Sequence, residues 1–283
     1  MKKFILRALL FLIFIPFIYA ILFLFPHYNY IALNFFIIIV SAAGIIEIKN
    51  LFKKQNIPHF NILTTILGIS LPITAYIQIA FSSTDITGTN IFLICIILSL
   101  IIILIRSLWV KNEDQLSLNI KKLTSSVFIM LYPCLFLSFV IFTSSLNNAS
   151  FSVLLLICLV FSNDTAAYIF GKLFGKKMNL FISPNKSLIG FIAGLFISIA
   201  VAVLFFFLKP DIFKVNIVFV ILFGALIGTT TIIGDLIESL LKRSTHVKDS
   251  GVLVMGRGGI LDSVDSLLIS APIFYFIYPY IAN

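Results

Sequence analysis

The chain has 283 residues, 60% of them hydrophobic and 11% charged, with a mean hydropathy of +1.15. A soluble domain carries about 25% charged residues, so this chain lacks the polar surface to fold in water, and no polar stretch is long enough to form a separate soluble domain. Its net charge of +9 suits either a nucleic-acid surface or a membrane surface, and the placement of the cations decides between them.

Crossing a bilayer takes about 20 apolar residues. Such runs fall at 4–25, 30–48, 60–81, 91–110, 124–142, 151–170, 189–208, 215–233 and 267–281. The sequence therefore predicts an all-α polytopic membrane protein with about nine transmembrane helices. The first run follows Lys2 and Lys3 and so resembles a secretory signal. It is longer than the usual apolar core of about 7–15 residues, and no small-x-small cleavage site follows, so it is read as a retained helix. With the N-terminus in the cytoplasm, eighteen of the twenty Lys and Arg residues fall on that side and only Lys209 and Lys214 opposite. That asymmetry is the one expected of cytoplasmic loops, and it leaves the C-terminus outside. The cations are spread over five short segments, and no zinc-finger, basic-zipper or RNA-recognition pattern is present, so no nucleic-acid partner is expected. The surplus orients the chain in the lipid bilayer and meets phosphates or lipid head groups. Cys95, Cys134 and Cys158 lie within apolar runs, as small packing residues do. His27, His59 and His246 are too scattered for a metal cluster.

Residues 1–150 are read as an N-terminal region of about five transmembrane helices. Residues 151–283 form a C-terminal transmembrane region with cytoplasmic loops at 171–188 and 234–266. Polar residues concentrate in 162–194 and 234–266. These hold six of the eleven acids: Asp164, Asp235, Glu238, Asp249, Asp262 and Asp265. Carboxylates near membrane depth are costly and usually serve a site. If the eighth helix runs on past its apolar stretch, Asp235, Glu238, Ser239 and Lys242 share one face. Asp262 and Asp265, three apart at the start of the ninth helix, then point at one place. Gly256, Gly258 and Gly259 lead into that helix start, whose N–H groups and positive dipole end suit an anion. Ser183-Pro184-Asn185-Lys186-Ser187 precedes the seventh helix and suits a phosphate in the same way. The pairs Gly171-Lys172 and Gly175-Lys176 add backbone freedom and cationic donors. Carboxylates beside cations and glycine turns make up a phosphate and Mg²⁺ site at a membrane surface. Spacing alone does not name the reaction.

The segment 234–266 resembles the signature of the CTP:phosphatidate cytidylyltransferase family. Ser239, Lys242, Arg243, Lys248, Asp249, Gly251, Gly258, Gly259, Asp262 and Asp265 stand in register with it, preceded by Gly234-Asp235-Leu236 and Glu238. The segment 162–194 is similar to the family's stretch beginning at Asn163-Asp164 and to its S-P-x-K-S box at Ser183–Ser187. Three positions depart: Arg257 stands where the family has His, Ser263 where it has Arg, and Ile189 where it has Glu. The resemblance implies transfer of CMP from CTP to phosphatidate, giving CDP-diacylglycerol and pyrophosphate, with Mg²⁺ alone or with a second cation. It implies Asp235 and Asp262 as principal metal ligands, with Asp265 and Asp249 beside them as ligands or orienting groups. Lys242, Arg243 and Lys248 would hold phosphates, and Ser183, Lys186 and Ser187 a phosphate at the seventh helix. Gly258 and Gly259 would approach the substrate, and Asp164 with Asn163 would sit at the edge of the site. By the same likeness a homodimer in a bacterial inner membrane is expected, and the charge count puts its site on the cytoplasmic side. Two alternatives stay open: another CTP-dependent lipid or polyprenol-type kinase, and a family member weakened by Arg257 and Ser263. A transporter is disfavoured because the acids gather at one face and no inverted repeat is evident.

Overall fold

The computed structural model describes residues 16–81, 90–110, 112–176, 178, 181–184, 186–254 and 258–282. Residues 16–23 are helical. Then come α1 (His27–Lys54), α2 (Asn61–Phe81), α3 (Ile91–Ser107), α4 (Asp114–Met130), a π-helical turn (Leu131–Leu135), α5 (Phe136–Thr143), α6 (Ala149–Phe174), α7 (Leu188–Leu208), α8 (Ile217–Ser244) and α9 (Leu261–Ile281). Among the described residues there is no strand, only isolated bridges at Phe213–Ala282 and Val254–Gly258. Seven helical spans are long and apolar enough to cross a membrane, with Gln115–Thr143 counted as one, and α3 is a shorter apolar helix of 17 residues. The chain is thus an all-α polytopic membrane protein, and the second to ninth expected spans are all present as helices. Most of the first lies outside the described residues.

The helix ends differ from the apolar runs. α8 continues from its greasy part through Asp235 and Lys242 to Ser244, and α9 begins at Leu261, ahead of its apolar run. Hydropathy marks only the part of a helix that lipid solvates. Backbone hydrogen bonding carries the helix on wherever a polar face finds partners. The expected loop over 234–266 therefore shrinks to 245–260.

The chain forms two compact units. One comprises the described residues up to Phe142 together with Val247–Asp262, the other Thr143–His246 with the described residues from Ser263 onward. In the first, α1 lies against α2 at Gly68, where an added Cβ would stand 2.6 Å from the Ile45 side chain. α1 also meets the π turn at Gly44, whose added Cβ would be 3.0 Å from Pro133 Cβ. Pro133 has no N–H to continue the α-helical ladder, and the π turn absorbs that interruption.

The second unit is built on a seam of small residues. α7 buries Gly190, Gly194, Ser198 and Ala202, each four residues from the next, and exposes Ile192, Phe196, Leu204 and Phe207 on its other side. Lipid tails are as apolar as leucine, so helices in a bilayer associate through close packing and hydrogen bonds. The small stripe permits that approach: a Cβ at Gly224 of α8 would stand 2.9 Å from Ala202 Cβ, and one at Gly228 3.0 Å from Ser198 Cβ. Asn163 of α6, 1% exposed, locks the seam. Its amide donates to Ser198 Oγ (3.0 Å) and to the Gly228 carbonyl (3.2 Å), and Ser198 Oγ donates to the Leu159 carbonyl (3.2 Å). Cys95, Cys134 and Cys158 are unbridged.

A Gly194→Val variant, overpacked against Asn163, is expected to lose about 1–3 kcal/mol of stability. Phe196→Val, on the exposed side of the same helix, should change stability by no more than about 0.5 kcal/mol. Thermal unfolding in detergent compares the two.

Candidate active site

In the second unit the site grows from one face of α8. Glu238, fully buried, is paired with the ammonium of Lys242 one turn on. Asp235, one turn earlier, holds the Lys186 ammonium at 2.6 Å. Of these two carboxylates Asp235 is the accessible one, its side chain 36% exposed. Gly234 lets the α9 backbone close in, since an added Cβ there would lie 2.6 Å from the Asp265 carbonyl oxygen. Asp265 is consequently buried within electrostatic range of Asp235, Glu238 and Asp164. The Ser266 N–H donates to Asp265 Oδ1 (2.7 Å) and the Ser266 hydroxyl to Asp164 Oδ1 (2.9 Å). Thr230 and Thr231 of α8 reach Ser270 of α9 at 3.2 and 3.1 Å, extending this polar seam.

Four carboxylates thus gather with two ammonium groups. In a poorly solvated bundle, a surplus of negative charge is costly without a cation, and the all-oxygen donor set suits Mg²⁺. Among the described residues no three His, Cys, Asp or Glu side chains converge closely enough to cage a metal ion. Mg²⁺ in general binds through one or two carboxylates plus substrate phosphates and rarely through an all-protein cage.

Lys186 reaches Asp235 from the strap before α7. The Ser187 side chain caps α7 by accepting from the Gly190 N–H at 3.1 Å. The Lys186 N–H donates to the Ser183 carbonyl (3.2 Å), and its own carbonyl accepts from the Met178 N–H (2.8 Å). Ser183 is buried. The glycines of the Gly-Lys pairs have a packing reason: a Cβ at Gly171 would stand 2.9 Å from Ser187 Oγ, and one at Gly175 would overlap it outright. Of the expected edge residues, Asp164 joins the carboxylate group, whereas Asn163 is the buried interhelical bridge described above. Ile189 is exposed.

Apart from Arg243, the remaining expected residues lie in the first unit, on 247–262. Lys248 and Asp249 are exposed, as is Arg243 at the end of α8. Gly258, at φ +118°, exchanges both backbone hydrogen bonds with Val254. Gly256 and Arg257 lie outside the described residues. Asp262 Oδ2 accepts from the Ser250 N–H (2.7 Å), the Ser250 hydroxyl (2.9 Å) and the Gly259 N–H (2.7 Å). The α9 start was expected to offer its N–H groups to a ligand anion. Instead, the Ile260 and Leu261 N–H groups donate at 2.8 Å to the two oxygens of Glu47, a residue the motifs do not include. The anion at this helix start is the protein's own. The signal that marks Glu47 is a single carboxylate inside an apolar run. Asp262 and Asp265 accordingly serve different partner sets although they share α9.

The sequence profile of the cytidylyltransferase family matches residues 5–281. A phosphatidate cytidylyltransferase of Chlamydia trachomatis is 45% identical over 120 residues, 41% of this chain and 39% of the relative. One of Staphylococcus haemolyticus is 38% identical over 138 residues, 48% of this chain and 52% of the relative. An uncharacterized Escherichia coli protein, YnbB, is 39% identical over 139 residues, 49% of this chain and 46% of the relative. The chain spans about half the length of the curated relatives it matches.

Lys242→Met removes the ion pair of a buried carboxylate and is expected to cost about 3–5 kcal/mol. Adding Glu238→Gln should restore most of that loss. Thermal unfolding of the two variants in detergent checks both expectations.

Proposed function

We propose that this chain, which belongs to the cytidylyltransferase family, transfers CMP from CTP to phosphatidate. The observation that carries the proposal is the α8 face, where Asp235 and Glu238 each hold a lysine beside the buried Asp265. An anionic phosphate oxygen of phosphatidate forms a bond to the α-phosphorus of CTP. The bond from that phosphorus to the bridging oxygen of the β-phosphate breaks, and pyrophosphate leaves with the electron pair. The attacking oxygen is already ionised, so no base has to remove a proton from it. The barrier is the crowding of negative charge, which fixed cations relieve while they align the reactants.

Mg²⁺, when bound, supplies further charge neutralisation at the phosphates. Asp235 and Asp262 are the residues we assign to hold it, with Asp265 and Asp249 as ligands or orienting groups; a second cation is compatible with this donor set. Lys186 we assign to a phosphate, its ammonium steadied by Asp235. Ser183 and Ser187 have hydroxyl protons to donate to the same phosphate. Lys242, anchored by Glu238, we assign to a phosphate as well. Arg243 and Lys248, both exposed, suit a soluble nucleotide. Gly258 and Gly259 we assign to the substrate side through their backbone, which passes close around Asp262, and Asp164 borders the group through Ser266. The acyl chains stay in the bilayer while the head group reacts. We extend the reading to a bacterial inner membrane, with the site on the cytoplasmic side, and to a homodimer.

The test uses the purified full chain in detergent with labelled CTP, phosphatidate and Mg²⁺. CDP-diacylglycerol is expected, and Asp235→Asn should lower kcat about 100-fold. A lipid monophosphate formed from CTP and a lipid alcohol would replace this reading with a kinase. For orientation, an impermeant maleimide applied to spheroplasts of a cysteine-free background should label Lys209→Cys directly. Lys248→Cys should label only after permeabilisation; the reverse pattern overturns the cytoplasmic assignment.

A further inference from the structure

Glu47 is the acidic residue of α1 and is 3% exposed, at the end of that helix's apolar run. Its nearest cation along the chain, Lys49, is turned away, donating to the Asn61 carbonyl (3.0 Å) and Thr65 Oγ1 (2.8 Å). Among the described residues no cation pairs with Glu47; the ion pairs there are Lys186–Asp235 and Lys242–Glu238. The carboxylate is held by aligned dipoles instead. Oε1 accepts from the Ile260 N–H, and Oε2 accepts from the Leu261 N–H and the Ser250 hydroxyl, all at 2.8 Å. These amides begin α9, where an anion gains from the helix dipole.

The loop is moulded around this group. A Cβ at Gly251 or Gly259 would collide with the Glu47 carboxylate, so two glycines of the signature segment have a structural reason rooted in α1. The Ser250 hydroxyl has one proton and faces two carboxylates, Glu47 Oε2 at 2.8 Å and Asp262 Oδ2 at 2.9 Å. Asp262 is therefore oriented through a hydroxyl that Glu47 also holds.

We propose that Glu47 is a positioning residue for the transfer reaction: an internal anion that sets the loop 247–260 and the first turn of α9, and through Ser250 aims Asp262. This rests on the function proposed above. Carboxylates and metal ligands depend on such outer partners for their orientation, and losing one typically costs about 10–100-fold in metal affinity. Glu47→Gln keeps the shape but turns an NH₂ group toward the Ile260 or the Leu261 N–H, from which it cannot accept. Ser250→Ala removes the hydroxyl that bridges Glu47 and Asp262, and it leaves in place the Glu47–α9 bonds and the Ser250 and Gly259 N–H bonds to Asp262.

Two readouts test the proposal on the full chain in detergent. One is the Mg²⁺ concentration for half-maximal CDP-diacylglycerol formation, the other the rise in thermal unfolding midpoint produced by Mg²⁺ with CTP. For Glu47→Gln the required Mg²⁺ should rise about 10-fold in both. Ser250→Ala should shift in the same direction, and Glu47→Asp should recover part of the loss. A purely structural role would lower the ligand-free midpoint and leave the Mg²⁺ requirement of the folded fraction at the wild-type value, and that result overturns the proposal. Should Glu47→Gln fail to fold, Ser250→Ala decides. If the wild-type chain forms no CDP-diacylglycerol, the functional reading falls, and the midpoint shift still tests Glu47.

Discussion

A charge carried into a lipid-solvated bundle has to find its compensation inside the protein, and much of this fold follows from that requirement. Water is too far away to solvate Glu238 or Glu47, so each acquires fixed partners: a lysine one turn along the same helix in one case, helix-start amides and a hydroxyl in the other. Compensation by a neighbour on the same helix is local and leaves the backbone straight. Compensation by distant amides forces a loop into one shape and reserves glycine wherever the backbone passes the carboxylate.

Close backbone approach is the second half of the same economy. Gly234 admits α9 to α8 beside Asp265, and the stripe from Gly190 to Ala202 admits α6 and α8 to α7. A lipid-facing surface of Ile, Phe and Leu on the far side of α7 costs nothing in a bilayer, so that helix can give most of its buried face to small residues, with Phe205 buried at its end. Site and seam are continuous in sequence: Asn163 secures the helices while its neighbour Asp164 takes the Ser266 hydroxyl.

The helices of this chain, and the α8 face, were readable because they depend on local periodicity. Asp235, Glu238 and Lys242 fall on one side of any helix that includes them, whatever surrounds it. The Lys186–Asp235 pair was half legible: both residues stood in the motifs, but their contact depends on how the strap turns before α7. Gly171, Gly175, Gly251 and Gly259 invite a ligand-binding reading, yet each is needed because a side chain packs on it, Ser187 in one pair and Glu47 in the other. Such partners lie too far along the chain for spacing to reveal. The helix extensions beyond the apolar runs escaped hydropathy for a related reason, since polar turns stay helical wherever their side chains have partners.

The bond between Glu47 and Ser250 closes a loop of 203 positions in the chain. A ribosome adding about 5–20 residues per second makes α1 roughly 10–40 seconds before it makes the amides that hold its carboxylate. During that interval Glu47 enters the insertion machinery with none of its native donors yet synthesised. The first unit cannot reach its final form when its own long helices are complete, because its last piece, Val247–Asp262, is made only after α6, α7 and α8.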